Sequence, residues 1–399
     1  MVEKFGTAYT GCAILFTNIV LMLVCLNIAV LAYGALDDDA LQSPTRVPET
    51  EALTVFEMGA LTHGLDVLRP LYPGYTDVEI IRLVLESANV GFYCDDVLSY
   101  RVAPFNGEFV NVHPAGFRYA QPPPWPPDED AYNVFFFGGS TVFGYGEADN
   151  ETIPVHLEAQ LRQAHPETTI HVYNFGQHAY FSLQERLLFE ELAAEHDIDL
   201  AIFMDGLNEF FYWDGQPWDN PDCRAPNTVV NNLRATLRCD YGEYCLPMQQ
   251  IALPQPPTPT PNPSSPPARD DLAAAQAVID RWLANKARIE TTAREHDVEL
   301  LFVIQPVPVH AYDFTQMPFV EELFDFAQAN RAHWAYPLWA AQYADPESDW
   351  AANALYLGDI QQGRDEILYV DRFHYTAAFM GEIAGAIAEA LAARGLPET

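Results

Sequence analysis

Asn133-Val134-Phe135-Phe136-Phe137-Gly138-Gly139-Ser140-Thr141 is an apolar run that closes on two glycines and a serine. Consecutive large apolar residues bounded by a turn read as a strand buried on both faces, the kind that builds a parallel sheet. The glycines mark a sharp turn out of the strand and into a helical turn. Runs of the same kind return at residues 170–173, 200–204, 300–304 and 367–370. Between them the apolar residues take helical spacing, over 152–164, 183–195, 270–296 and 377–394. Strand and helix in alternation predict βαβ units, an α/β fold with a parallel sheet and helices on both faces. No internal repeat is present.

Outward from that core the chain changes character. Residues 56–131 are mixed, with a helix predicted over 77–89, and QPPPWPPDED at 121–130 enforces an extended approach to the first sheet strand. Residues 37–55 are acidic with Pro and Thr, as a juxtamembrane linker is. Residues 12–36 contain no Asp, Glu, Lys, Arg or His. About 20 apolar residues span a bilayer as a helix, and the apolar core of a cleavable signal is shorter, roughly 7–15. Lys4 precedes the run and Asp37, Asp38 and Asp39 follow it, which sets the N-terminus inside and the remainder outside. A lipobox at Cys25 is ruled out by Val24, where a small residue is needed.

The expected organisation is therefore 1–36, cytoplasmic N-terminus and transmembrane signal anchor; 37–131, linker and lead-in; 132–399, the α/β domain. Two insertions interrupt that domain. Residues 213–267 carry Cys223, Cys239 and Cys245 and end in PQPPTPTPNPSSPP, which predicts an extended surface loop. Residues 312–363 are rich in Tyr, Trp, Phe and Ala and read as a helical cap on the sheet, with a binding surface as the alternative.

The chain has 399 residues, of which 20 are Lys or Arg and 56 are Asp or Glu, a net charge of −36. That balance excludes nucleic acid as a partner, because phosphate backbones are held by dense basic surfaces. It equally excludes docking on anionic headgroups. With 49% hydrophobic residues a sizeable core is available. Cys94, Cys223, Cys239 and Cys245 lie in the exported part and fit an oxidising compartment. Four cysteines allow three connectivities, among which spacing does not choose.

Four short islands, each at the end of one of the apolar runs, carry the chemistry. Ser140 stands at the C-terminal edge of the sheet, where open α/β folds bind ligands, over a helix N-terminus with unused N–H groups. The island is no P-loop, since Tyr145 and Gly146 stand where Lys and Ser/Thr belong. It is no G-x-S-x-G elbow either, because Val142 stands where the last glycine would be. Asn174-Phe175-Gly176 ends the second strand and offers the Gly176 backbone N–H. Asp205-Gly206-Leu207-Asn208-Glu209 ends the third and offers the Asn208 amide. Asp371-Arg372-Phe373-His374 follows the last. Serine needs an adjacent base, histidine titrates in the right range, and an Asp three residues earlier can curl back to hold its tautomer. His156, His165, His171, His178 and His196 show no metal-ligand spacing and are expected in solvated or structural roles.

Together the islands resemble the four blocks of the SGNH (GDSL-type) hydrolase superfamily, with Ser140, Gly176, Asn208 and His374 in the defining positions and Asp371 completing Asp-x-x-His. The resemblance covers residues 132–396. Upstream, Asn111-Val112-His113-Pro114-Ala115-Gly116-Phe117-Arg118 is similar to the N-x-x-G-F-R lead-in of membrane-anchored bacterial members. Two blocks depart from the pattern, reading Gly-Gly-Ser-Thr for Gly-Asp-Ser and Gly-Leu-Asn-Glu for Gly-x-Asn-Asp.

The resemblance implies a flavodoxin-like three-layer αβα sandwich, preceded here by the predicted transmembrane helix. It implies a serine hydrolase that cleaves or transfers O-acyl esters, above all O-acetyl, on envelope or extracellular glycans, without cofactor or metal. In that mechanism Ser140 attacks, His374 takes its proton, Asp371 orients His374, and the oxyanion is held by the Ser140 and Gly176 N–H groups and Asn208. The expected location is the bacterial cytoplasmic membrane, single-pass, with the catalytic domain periplasmic or extracellular. The alternative from another class is a non-catalytic subunit of a membrane complex on the same scaffold. A retained Ser/Asp/His set argues against it.

Overall fold

Phe135, Phe136 and Phe137 lie at the centre of the molecule, none of them exposed to solvent. The structure is a computed structural model that describes residues 65–217, 269–314 and 327–397. It opens with α1 (Leu65–Leu68) and α2 (Asp77–Asn89), followed by two small ladders, β1 (Phe92–Asp95) with β2 (Ser99–Val102) and β3 (Phe105–Asn106) with β4 (Asn111–Val112). The body then runs β5 (Tyr132–Gly138), α3 (Ser140–Phe143), α4 (Ile153–Ala164), β6 (Ile170–Gly176), α5 (Ser182–Glu195) and β7 (Leu200–Asp205). It continues with α6 (Leu207–Phe211), α7 (Arg269–His296), β8 (Glu299–Ile304), α8 (Ala327–Tyr343), β9 (Ala354–Tyr356) and α9 (Ala377–Ala393).

The sheet has the order β6-β5-β7-β8-β9 and all its pairings are parallel. Because β6 lies on one side of β5 and β7 on the other, two right-handed crossovers carry α4 and α5 to opposite faces. There α4 packs with α9, and α5 packs with α7 on the far side. This is the expected parallel sheet between two helical layers. The chain reverses direction of travel at β5, so a crevice opens beyond the carboxyl ends of β5 and β7.

Phenylalanine rings at matching register tie the strands together. Phe137 pairs with Phe175 on β6 and Phe203 on β7, and Phe203 with Phe302 on β8. The three stacked pairs have ring centroids 5.7, 4.9 and 5.3 Å apart. Phe189 of α5 and Trp282 of α7 close over the same row edge-on.

One predicted strand is not a strand. Residues 367–370 are apolar, and Leu368, Tyr369 and Val370 are buried. Their backbone bonds instead go to the loop that follows, Val370 N–H to His374 O at 2.8 Å and Thr376 N–H to Leu368 O at 2.9 Å. The fifth sheet strand is β9, three half-buried residues inside the segment read as a helical cap, and that segment also supplies α8.

The lead-in is built onto the α/β body. Arg118 bridges to Asn174 of β6, the Val102 N–H donates to Gln177 Oε1 at 2.8 Å, and Tyr72 Oη donates to Gly146 O at 2.8 Å. Cys94 on β1 is disulfide-bonded. Cys223, Cys239 and Cys245 lie outside the described residues, as do most of the 213–267 insertion and the predicted span at 12–36. Among the described residues no helix is long and apolar enough to cross a membrane.

Candidate active site

Ser140 is the first residue of α3, a single turn that starts directly after β5, and its side chain is partly exposed. His374 Nε2 lies 2.8 Å from Ser140 Oγ, and His374 Nδ1 lies 2.6 Å from Asp371 Oδ2. The other Asp371 oxygen accepts the backbone N–H groups of Phe373 and His374, both at 2.8 Å. Burial pushes the Asp371 carboxyl up. The facing His374 and these hydrogen bonds outweigh it and hold the carboxyl below its ordinary value. An ionised carboxylate can only accept, so Nδ1 carries the imidazole proton and Nε2 is left to accept the Ser140 hydroxyl. The three predicted residues are thus assembled from loops 231 positions apart in sequence (371 − 140) into one relay.

The turn that carries Ser140 is clamped from outside. A four-residue helix leaves most of its carbonyls without an intrahelical partner, and here three at or just past its end find side-chain donors. Asn174 Nδ2 donates to Val142 O at 2.9 Å. Arg118 Nη1 donates to Phe143 O at 2.9 Å and Gly144 O at 2.8 Å. Its Nη2 reaches Glu147 O at 2.6 Å and its Nε pairs with Asp149 at 2.7 Å. Arg118 is 2% exposed, so these bonds form in a dry setting where a planar five-donor fork has no equivalent. Gly144 closes the helix in the left-handed region at φ 87°, and Thr141 Oγ1 donates to Gln305 Oε1 at 2.8 Å beyond β8.

Asn208 sits at the start of α6, partly exposed, with one amide N–H given to Tyr180 O at 2.7 Å. A Cβ on Gly139 would lie 2.4 Å from its Nδ2, which places the amide against the peptide that leads into Ser140. Gly176 is a different case. Its N–H donates to Asn174 Oδ1 at 3.0 Å, so the expected oxyanion donor is already committed. A Cβ there would lie 2.2 Å from Phe143 N, so the glycine serves close packing of β6 against the serine-bearing turn.

Three further residues border the site, with no place in it expected from the sequence. The Tyr145 ring lies 4.5 Å from that of His374, tilted by 34°. The His178 ring meets Phe143 edge-on at 4.5 Å and Tyr145 at 5.5 Å. Burial, with His374 and Arg118 nearby, pushes His178 down to about 3, so it stays neutral. Glu209, the departure in the third block, is buried and accepts the Ser182 N–H that opens α5 at 2.6 Å. Burial and the charge of Asp205 push it up to about 8, while burial raises Asp205 to about 6. Tyr145 and Glu209 follow Ser140 and Asn208 closely in sequence, but no periodic signal marks the contacts they make. His178 is among the histidines expected in solvated or structural roles, and Glu209 is the departure from pattern noted in the third block.

No family model matches the chain, and no curated protein does. Solved structures with a similar course include the lipase/acylhydrolase from Enterococcus faecalis (13% identity, 66% of this chain and 96% of that one, TM-score 0.36). An inhibitor-bound aryl esterase from M. smegmatis gives 14% identity, 66% and 99% coverage and a TM-score of 0.35. The acetyl xylan esterase AlAXEase gives 12% identity, 65% and 99% coverage and a TM-score of 0.36. At such values these likenesses carry no argument, and the case for a function rests on the site itself.

Proposed function

We propose that the chain is an SGNH-type serine hydrolase or acyltransferase acting on carboxylic esters. The observation that carries this reading is the Asp371–His374–Ser140 relay, with steps of 2.6 and 2.8 Å. His374 Nε2 accepts the Ser140 proton as Oγ forms a bond to the ester carbonyl carbon, and Asp371 stabilises the imidazolium that results. The developing oxyanion is met by the Ser140 N–H at the start of α3 and the remaining Asn208 amide N–H. Collapse of that intermediate breaks the ester bond, and His374 returns the proton to the departing alkoxide. Water then releases the acyl group, or an acceptor hydroxyl takes it.

In this reading the predicted span at 12–36 tethers the enzyme with its hydrolase part outside the cytoplasmic membrane. O-acyl groups on envelope or extracellular glycans are then the substrates within reach. The support is the uncharged sequence of that span, with Lys4 before it and Asp37, Asp38 and Asp39 after it.

The test is labelling of the purified protein with a fluorophosphonate probe, with p-nitrophenyl acetate turnover measured alongside. Wild type should label and turn over, and Ser140→Ala and His374→Ala should do neither. A folded wild-type sample that does not label sinks the hydrolase reading and leaves the scaffold role.

A further inference from the structure

The Asn208 amide can serve an oxyanion only if it is aimed. Its NH₂ group is planar, so fixing one N–H fixes the direction of the other. Here the fixing partner is Tyr180 O, 2.7 Å from Asn208 Nδ2. A Cβ on Gly139 would lie 3.2 Å from that same oxygen. Tyr180 O, the amide and the peptide leading into Ser140 therefore meet at one point. Yet Tyr180 lies in neither a strand nor a helix, but in the loop 177–181 between β6 and α5. Loops move more than the elements they join.

This loop is held from the lead-in. Tyr100 of β2 donates its hydroxyl to His178 O at 2.6 Å, and Tyr180 donates its own back to Tyr100 O. The two rings stand edge to face, centroids 5.4 Å apart at 71°, and are 0% and 1% exposed. Gln177 adds a second staple from the same side, accepting the Val102 N–H at 2.8 Å and donating its amide to Gly116 O at 2.9 Å. Each tyrosine also follows a non-glycine residue in the left-handed region, Ser99 at φ 72° and Ala179 at φ 60°. Such a conformation costs free energy and persists where the surroundings impose it. A core that needed only apolar filling would be served by phenylalanine at both positions. The two hydroxyls instead tie β2 to the segment that aims Asn208.

We infer that Tyr100 and Tyr180 are positioning residues for the oxyanion donor, locking the 177–181 loop so that Tyr180 O directs the remaining Asn208 N–H at the carbonyl attacked by Ser140. That role rests on the ester chemistry proposed above. It makes the lead-in a support for the oxyanion arm as well as a clamp on the serine-bearing turn.

Burst kinetics on p-nitrophenyl acetate isolates the acylation step, measured in the whole chain for Tyr100→Phe and Tyr180→Phe, each with and without Asn208→Ala. Each substitution to phenylalanine removes one hydroxyl and keeps its ring. With Asn208 in place, either should slow acylation about tenfold, a part of the roughly 10²–10³ lost with the donor itself, and leave substrate binding unchanged. On Asn208→Ala the same substitutions should slow it no further, because the group they aim is gone. A purely structural tyrosine lowers Tm alike in both backgrounds and gives no such dependence on Asn208. Equal slowing in both backgrounds, or none in either, overturns the assignment, as does failure of both variants to fold; if one folds, it decides alone. A wild type that neither labels nor turns over removes the ester reading itself, whereas an active wild type with equal losses in both backgrounds removes only the positioning role.

Discussion

Asp371 uses both of its oxygens, one to hold the backbone N–H groups of its own loop and the other to hold His374. Asp371→Asn keeps an acceptor for the loop but turns an N–H₂ toward Nδ1, which forces the imidazole proton onto Nε2. That tautomer cannot accept from Ser140, so kcat should fall by about 10³–10⁴ with little change in KM. Steady-state kinetics on a p-nitrophenyl ester checks this, and a loss below tenfold would remove Asp371 from the relay. Asn208→Ala should slow acylation by about 10²–10³, read by single-turnover burst kinetics. At this scale Ser140, Asn208, Asp371 and His374 were legible because each closes an apolar run. The Gly176 N–H is engaged by Asn174 in this structure, and whether a glycine is there for its proton or for its missing side chain depends on neighbours that spacing does not show.

Between β7 and α5 the structure buries Asp205 and Glu209 beside Glu185, which burial and the two neighbouring carboxylates push up as well. In the fold Asp205 and Glu209 keep protons at pH values where the unfolded chain has lost them. The native state therefore binds more protons, and its stability falls as pH rises from the ordinary carboxylate range to about 8, then levels. Glu209→Gln retains the acceptor for Ser182 and has no charge to bury. Its Tm should decline less than that of wild type between pH 6 and 8, and identical slopes would sink the account. Arg118 acts on an element too, the serine-bearing turn. Arg118→Lys keeps the charge but loses the fork, and by analogy with other broken buried polar networks should cost about 3–5 kcal/mol in urea unfolding. The remaining elements divide by how local their cause is. Four sheet strands announced themselves as apolar runs between turns. Residues 367–370 looked the same and folded back on their own loop, held by Tyr369 Oη to Gln361 Oε1 at 2.5 Å and Tyr375 Oη to Pro306 O at 2.8 Å. β9, with three half-buried edge residues, is too short to leave a pattern.

For the molecule as a whole the dominant quantity is its charge of −36. Self-repulsion on that scale opposes compactness, and raising salt from 0.1 to 1 M shortens the screening length from about 10 to about 3 Å. Exposed pairs such as Arg69–Asp77 and Arg82–Glu108 weaken under the same change but contribute little. Tm should therefore rise with sodium chloride, and a fall in a differential scanning experiment would contradict the balance drawn here. Acidity was legible at once from composition. The lead-in motif ending in Arg118 was visible as a resemblance, but its clamp on the serine-bearing turn was not, because apart from Asp149 its partners are main-chain carbonyls, which have no sequence signature. The consequence is practical. Severed within the proline-rich stretch 121–130, the chain becomes two pieces, one holding the serine and the other holding its turn in shape. If the proposed activity holds, turnover would then report that the pieces had met and so signal the proximity of whatever each piece is fused to.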